Sequence, residues 1–183
     1  KSIAVNLSDL ASNLSTPKYI LIGLSLPKYV NESFVKEFYK GVDEICNKYN
    51  VKLAGGDITS SKQICISVCA LGLGNNICAN RKNNTQIGDF VCTTGEFGSS
   101  ALGFRILNNS YLKKSFQKES IDYFIQKHIK PEPIIFEMNE ILKNINSKNI
   151  AMMDTSDGLG DALYRLASVN DVSLEIDFNK IPH

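Results

Sequence analysis

The chain lacks a C-x-x-C pair, a Walker phosphate loop, an apolar run long enough to span a bilayer and any large excess of one charge. Each absence removes a class of function. A membrane-spanning helix needs about 20 consecutive apolar residues, and the opening KSIAVNLSDLAS lacks the basic-then-apolar layout of a secretory signal, so no membrane role is expected and the cytoplasm is the default compartment. A formal net charge of +1 gives no broad attraction to nucleic acid or to acidic membranes. The five cysteines, Cys46, Cys65, Cys69, Cys78 and Cys92, do not carry zinc-site spacing. Cys65 and Cys69, four apart in a strand-like run, share a face but lie too far apart to bridge easily, so all five are expected to be reduced packing residues. There is no nucleophile, histidine and acid set for covalent hydrolysis. GEFGSSALG does not match G-x-G-x-x-G, so neither a Walker nor a Rossmann nucleotide site is readable.

What is present is globular. The 183 residues are 43% hydrophobic and 21% charged, enough for one large domain or two small ones. Lys1 is not a start methionine, and VSLEIDFNKIPH stops just after a strand-like run, so a piece of a longer protein is expected. KSIAVNLSDLAS reads as a strand or the start of a buried helix, and KYILIGLSLP as a strand closed by Pro27. NESFVKEFYKGVDEICNKYN has helical apolar spacing with Asn31 or Ser33 as its cap, followed by a short strand, a glycine turn and a longer strand up to LGLG. After the polar NNICANRKNNTQIGD, the best linker, a second series follows: a strand from DFVC, a helix opening near Ser99 or Ser100, a helix ending before Pro131, and a helix opened by Pro133. The strand IAMM, the helix DALYRLASV and the strand VSLEIDF complete it. Alternating elements in both halves predict an α/β or α+β architecture.

Within IAMMDTSDGLGD, Asp154 and Asp157 follow an apolar run. Asp157 either caps the next helix or joins Asp154 on a common ligand that tolerates dense negative charge. Asp57 in KLAGGDITS and Asp9 in NLSDLA pose the same choice, with Gly55 and Gly56 reading as a tight turn or as a place where a ligand comes close to the backbone, and Asp9 as a cap or a metal carboxylate. All four aspartates end apolar runs, so a sheet could bring them to one edge, where repulsion would raise their pKa values unless a cation intervened. Magnesium, an oxygen-seeking ion that commonly keeps water or substrate phosphates, suits such a site. Gly95, Gly98, Ser99 and Ser100 either offer helix-start amides to a phosphate or make an ordinary turn. Arg81 and Lys82 either neutralise a phosphate or are solvated, and His128 suits a helix end.

Taken together, NLSDLA, KLAGGDIT, IGDFVCTTGEFGSSALG, KHIKPEP and AMMDTSDGL resemble, in order and spacing, the thiamine-monophosphate kinases of the aminoimidazole-ribonucleotide synthetase-like superfamily. The resemblance covers nearly the whole chain. It implies a two-domain α/β (α+β) fold, an N-terminal dimerising sheet domain over residues 1–85 that holds ATP and metal, and a C-terminal α/β domain over residues 86–183. It further implies a homodimer and magnesium-assisted phosphorylation of thiamine monophosphate to thiamine diphosphate, with ATP as co-substrate and no side chain acting as a covalent catalyst. By the same resemblance Asp9, Asp57, Asp154 and Asp157 look like metal ligands, and Gly56, Asp57, Arg81, Ser156 and Tyr39 like nucleotide contacts. Tyr39 is equally explained by helix-face packing. The rival expectations are a sister synthetase of the selenophosphate or aminoimidazole-ribonucleotide type, with a different acceptor, and a non-catalytic relative that senses nucleotide or thiamine phosphate. Four retained aspartates favour an enzyme, because a silent site has no need to hold repelling carboxylates together.

Overall fold

The computed structural model describes residues 1–74, 82, 84–144 and 150–183. Ile3, Leu7 and Ala11 recur at four-residue intervals, and that period makes the first segment a helix, α1 (Ser2–Ser12), with those side chains buried. β1 (Thr16–Leu26) alternates instead: Ile20, Ile22 and Leu24 are almost wholly buried, while Tyr19 and Leu21 at the alternate positions stay open. Pro17 sits near the start of β1, and Pro27 follows its end.

Asn31 caps α2 (Glu32–Tyr49) by accepting from the Phe34 amide at 3.0 Å, and Asn50 closes it in the left-handed conformation at φ 53°. The helix carries the chain across to β2 (Lys52–Ser60), which lies parallel to β1, and a short turn returns it as β3 (Cys65–Leu73), antiparallel to β1 on the other side. The sheet order is β2-β1-β3. No glycine turn interrupts β2, contrary to expectation. Gly55 and Gly56 run inside the strand, where the register with β1 shifts between Ile20 and Leu21.

One face of this sheet makes the core. Ile3, Leu7, Ala11 and Leu14 from α1 and its exit meet Ile20, Ile22 and Leu24, with Val42, Cys46 and Tyr49 of α2 packed beside them. Ile135 and Met138 of α6 (Ile135–Asn144) belong to the same core, and Phe136 stacks on Tyr49 with centroids 5.4 Å apart. Lys48 pairs with Glu132 over the same contact. Residues from both halves of the sequence therefore share one apolar cluster.

The remaining helices build a second layer. α3 (Ser99–Asn108) packs closely on α5 (Lys118–Ile129), with the short α4 (Ser110–Ser115) between them in sequence and Ile106 and Ile121 buried. α5 stops at Ile129, ahead of Pro131, as the proline requires. α7 (Leu159–Asn170) and a 3₁₀ turn (Phe178–Lys180) follow. The strands expected at DFVC, IAMM and VSLEIDF do not form ladders among the described residues. An apolar run signals burial, and Ile150 and Met152 are indeed packed on the core; a strand also needs a hydrogen-bonded neighbour, which the run itself does not specify. The polar break is anchored at its far end, where the Asn84 amide donates to Asn170 and its side chain to the Ile150 carbonyl. Cys46 is buried, and burial, then Asp43, pushes its thiol pKa up; Cys65, Cys69 and Cys92 are free and exposed, so only Cys46 fits the packing role, and Cys78 lies outside the described residues. No helix among the described residues is long and apolar enough to cross a membrane.

Candidate functional site

A cavity of about 950 Å³ opens where α1, the loop before α3, the end of α5 and the segment before α7 converge. The apolar period of α1 turns Leu7 into the core and leaves Ser8 and Ser12 on the cavity wall. Thr93, Thr94, Ser99 and Ser100 come from the entry to α3, and Lys127 and Lys130 from the end of α5. Asp154 and Thr155 come from the segment that leaves the core after Met152. The wall thus combines hydroxyls, carboxylates and ammonium groups over an apolar floor that includes Met138, Ala162 and Leu166.

Two helices begin at this cavity. Gly98 precedes α3 with φ 94°, and Gly158 precedes α7 with φ 105°, both in the region that disfavours a side chain. Among the described residues neither helix has a side-chain cap, so first-turn amides are left for another acceptor. Gly98 supports the turn reading of GEFGSS while leaving Ser99 and Ser100 at the cavity. Asp157 is not a cap: Gly158 holds that position, and the Gly158 amide closes a tight turn onto the Thr155 carbonyl at 2.9 Å.

Asp154 is the one expected metal ligand among the cavity-lining residues. It is half-buried, and its Oδ2 accepts the hydroxyl of Ser156. Asp157 is exposed in the turn just beyond. Asp9 is neither a cap nor at a strand end; it lies within the last turn of α1, and its carbonyl accepts from Ser12 and Asn13. Asp57 lies inside β2 opposite Gly23, on the open sheet face, and its Oδ1 accepts from the Ile58 amide at 2.9 Å. The core lies on the other face with α1, so Asp57 and Asp9 belong to opposite sides of the sheet. Among the described residues, no group of three or more His, Cys, Asp or Glu side chains is placed to hold a metal ion. The expected single sheet edge does not form among the described residues: ending an apolar run does not fix the face on which a carboxylate emerges, and of the three runs that precede the four aspartates one is a helix and one forms no ladder.

Gly56 is held against the backbone of Ile22, where an added Cβ would stand 2.0 Å from the carbonyl oxygen. Tyr39 is partly buried against the core and meets Phe38 edge-on at 5.3 Å, the packing arrangement. Arg81 lies outside the described residues. The sequence reading missed Lys127, Lys130, Thr93 and Thr94 as site residues. KHIKPEP gave the signal for the two lysines, but it was read only through its histidine and its prolines.

Residues 1–74 match the family model described as AIR synthase related protein, N-terminal domain. Over 183 residues the chain is 33% identical to the thiamine-monophosphate kinase of Bacillus subtilis, covering all of this chain and 55% of that protein. It is 37% identical over 184 residues to the enzyme of the same name from Buchnera aphidicola subsp. Schizaphis graminum, covering 54% of it. The solved structure of AaThiL complexed with AMPPCP and TMP superposes with a TM-score of 0.85 at 35% identity, over 98% of this chain and 55% of that one. The chain spans about half the length of the curated relatives it matches. Residues 1–74 are thus similar to the N-terminal domain of the AIR synthase related proteins, and the chain along its whole length is similar to about half the length of the thiamine-monophosphate kinases.

Proposed function

We propose that this chain carries the nucleotide and metal side of an ATP-dependent phosphorylation of thiamine monophosphate to thiamine diphosphate. One observation supports the reading most: the similarity to kinases of that name, one of them seen with AMPPCP and TMP, runs through the segment that sets Asp154 at the cavity. An oxygen of the acceptor phosphate forms a bond to the γ-phosphorus of ATP, the bond from that phosphorus to the bridging oxygen breaks, and ADP leaves. The transfer requires positioning and charge neutralisation rather than a covalent side-chain intermediate.

Magnesium, when bound, would neutralise the phosphate oxygens. Such an ion commonly rests on one or two carboxylates and takes its other ligands from water and phosphate, so the absence of a three-carboxylate cluster among the described residues is compatible with it. Asp154 would hold it, with Asp157 the nearest further ligand in sequence; Asp9 and Asp57, on opposite sides of the sheet within one chain, would be metal ligands of this reading for other ions or across a partner chain. Ser156 positions the Asp154 carboxylate, and Gly56, Asp57, Arg81, Ser156 and Tyr39 would contact the nucleotide. Residues 1–85 would form the ATP and metal domain and residues 86–183 its partner, in a cytoplasmic enzyme.

A homodimer through the sheet belongs to the same reading. Its support is the open face, where Tyr19, Leu21 and Leu71 lie exposed at 47%, 38% and 49% in adjoining ladder positions beside Cys69. Leu21→Glu should convert the protein to a monomer in sedimentation; an unchanged dimer would put the interface elsewhere.

The activity is tested on the natural protein at the length of its relatives. ATP, magnesium and thiamine monophosphate should give thiamine diphosphate, followed by chromatography, and chelation of magnesium should stop it. Folded protein that binds ATP and forms no thiamine diphosphate would shift the reading to a sister synthetase or a sensor.

A further inference from the structure

The cavity wall holds two cations that none of the roles above uses. Lys127 and Lys130 stand three residues apart at the end of α5, and both side chains line the cavity. Neither makes an ion pair among the described residues. Lys127 lies 5.4 Å from the centroid of the Tyr123 ring, which also lines the cavity. Its charge reaches across the wall: the Glu132 carboxyl is held below the usual range chiefly by the Lys48 hydrogen bond and charge, with Lys127 adding to the same direction.

Basic residues at a helix's C-terminal end complement the helix dipole, which accounts for Lys127 in the last turn and Lys130 at the C-cap. The dipole does not require them to face a cavity. Here they share it with the first turn of α3, where Ser99 and Ser100 begin a helix that has no side-chain cap among the described residues. Two ammonium groups, hydroxyls and helix-start amides around one space are complementary to a phosphate group.

We propose that Lys127 and Lys130 are phosphate-binding residues of this cavity, holding a phosphate of the bound substrate while Asp154 faces the metal side. The proposal rests on the kinase reading for the identity of the substrate, and the phosphate could belong to the nucleotide or to the thiamine phosphate. Charge-assisted contacts of this kind place the effect in KM rather than in kcat, about tenfold for each lysine.

The test uses the natural full-length protein with Lys127→Gln, Lys130→Gln and Lys130→Arg. Both lysines are exposed on the cavity side, so the variants should fold, with melting temperatures close to the parent. KM for ATP and for thiamine monophosphate is measured for each, alongside equilibrium binding of the two compounds by calorimetry. A rise of about tenfold confined to thiamine monophosphate places the lysines on the acceptor, and a rise confined to ATP places them on the nucleotide. Lys130→Arg should restore most of the affinity, and the loss should shrink at high salt. Unchanged KM values and binding in folded variants would overturn the proposal. A parent protein that forms no thiamine diphosphate would sink the kinase reading alone, because the binding comparison still decides the lysines; a parent that binds neither compound overturns both.

Discussion

Gly56→Ala should unfold this protein well below the temperature at which the parent melts, whereas the same one-carbon change at Gly41 should raise that temperature slightly. A Cβ on Gly56 would lie 2.0 Å from the Ile22 carbonyl oxygen and 2.9 Å from its carbon, in the seam between β2 and β1. Both partners are backbone, so no side-chain rotation relieves the contact and the two strands must part. Ile22 is fully buried, so that movement disturbs the core on its other face. Overpacking of this severity costs about 3 kcal/mol or more, which lowers the melting temperature of a chain this size by roughly 6 to 12 °C. Gly103→Ala should behave alike, because its Cβ would meet the Phe124 carbonyl oxygen at 1.9 Å and wedge α3 from α5. Gly41 is helical and exposed with nothing within 4 Å, so alanine there should stabilise by about 0.5 to 1 kcal/mol through helix propensity alone. Thermal unfolding of the three variants checks this. Equal melting temperatures for Gly41→Ala and Gly56→Ala would mean that the β1 and β2 backbones are not so closely apposed.

That contrast also marks where sequence reading ends. Local chemistry was legible: the alternation of Ile20, Ile22 and Leu24 gives β1 its buried face, Asn31 caps α2, and Pro131 stops α5. Pairing was not, because Gly55 and Gly56 look the same in a turn as in a strand pressed against its neighbour. Of the cavity wall, the segment carrying Asp154 was singled out from its hydroxyls and carboxylates after a buried run. Asp57 and Asp9 were identified as residues but not located, since a shift in strand register and a helical period decide which side of the sheet each occupies. Lys127 and Lys130 escaped because a helix terminus supplies a sufficient local reason for a lysine, and only the converging elements show that the two also face a cavity.

On the proposed kinase reading, Asp154→Asn in the natural full-length protein should lower thiamine diphosphate formation about 100-fold or more while leaving the fold intact. Asparagine keeps the size of the side chain and an oxygen that can accept the Ser156 hydroxyl, so the local hydrogen bond survives and only the charge is lost. Loss of a charge that neutralises or positions a metal acts on the transition state, where phosphoryl oxygens crowd together, and removal of one preorganised electrostatic group typically costs 10² to 10³ in rate. Ser156→Ala removes the group that orients the carboxylate but not the carboxylate itself, so its loss should be nearer tenfold. The two variants are separated by titrating magnesium: Asp154→Asn should need far more of it for half-maximal rate, and Ser156→Ala moderately more. Asp57→Asn and Asp9→Asn in the same titration then test the remaining ligands. If Asp57→Asn shifts the magnesium requirement as strongly as Asp154→Asn, a carboxylate on the open sheet face must reach the same ion, which a partner chain covering that face could arrange. If only Asp154→Asn shifts it, the metal rests on the cavity segment and the phosphates, and Asp57 serves the sheet.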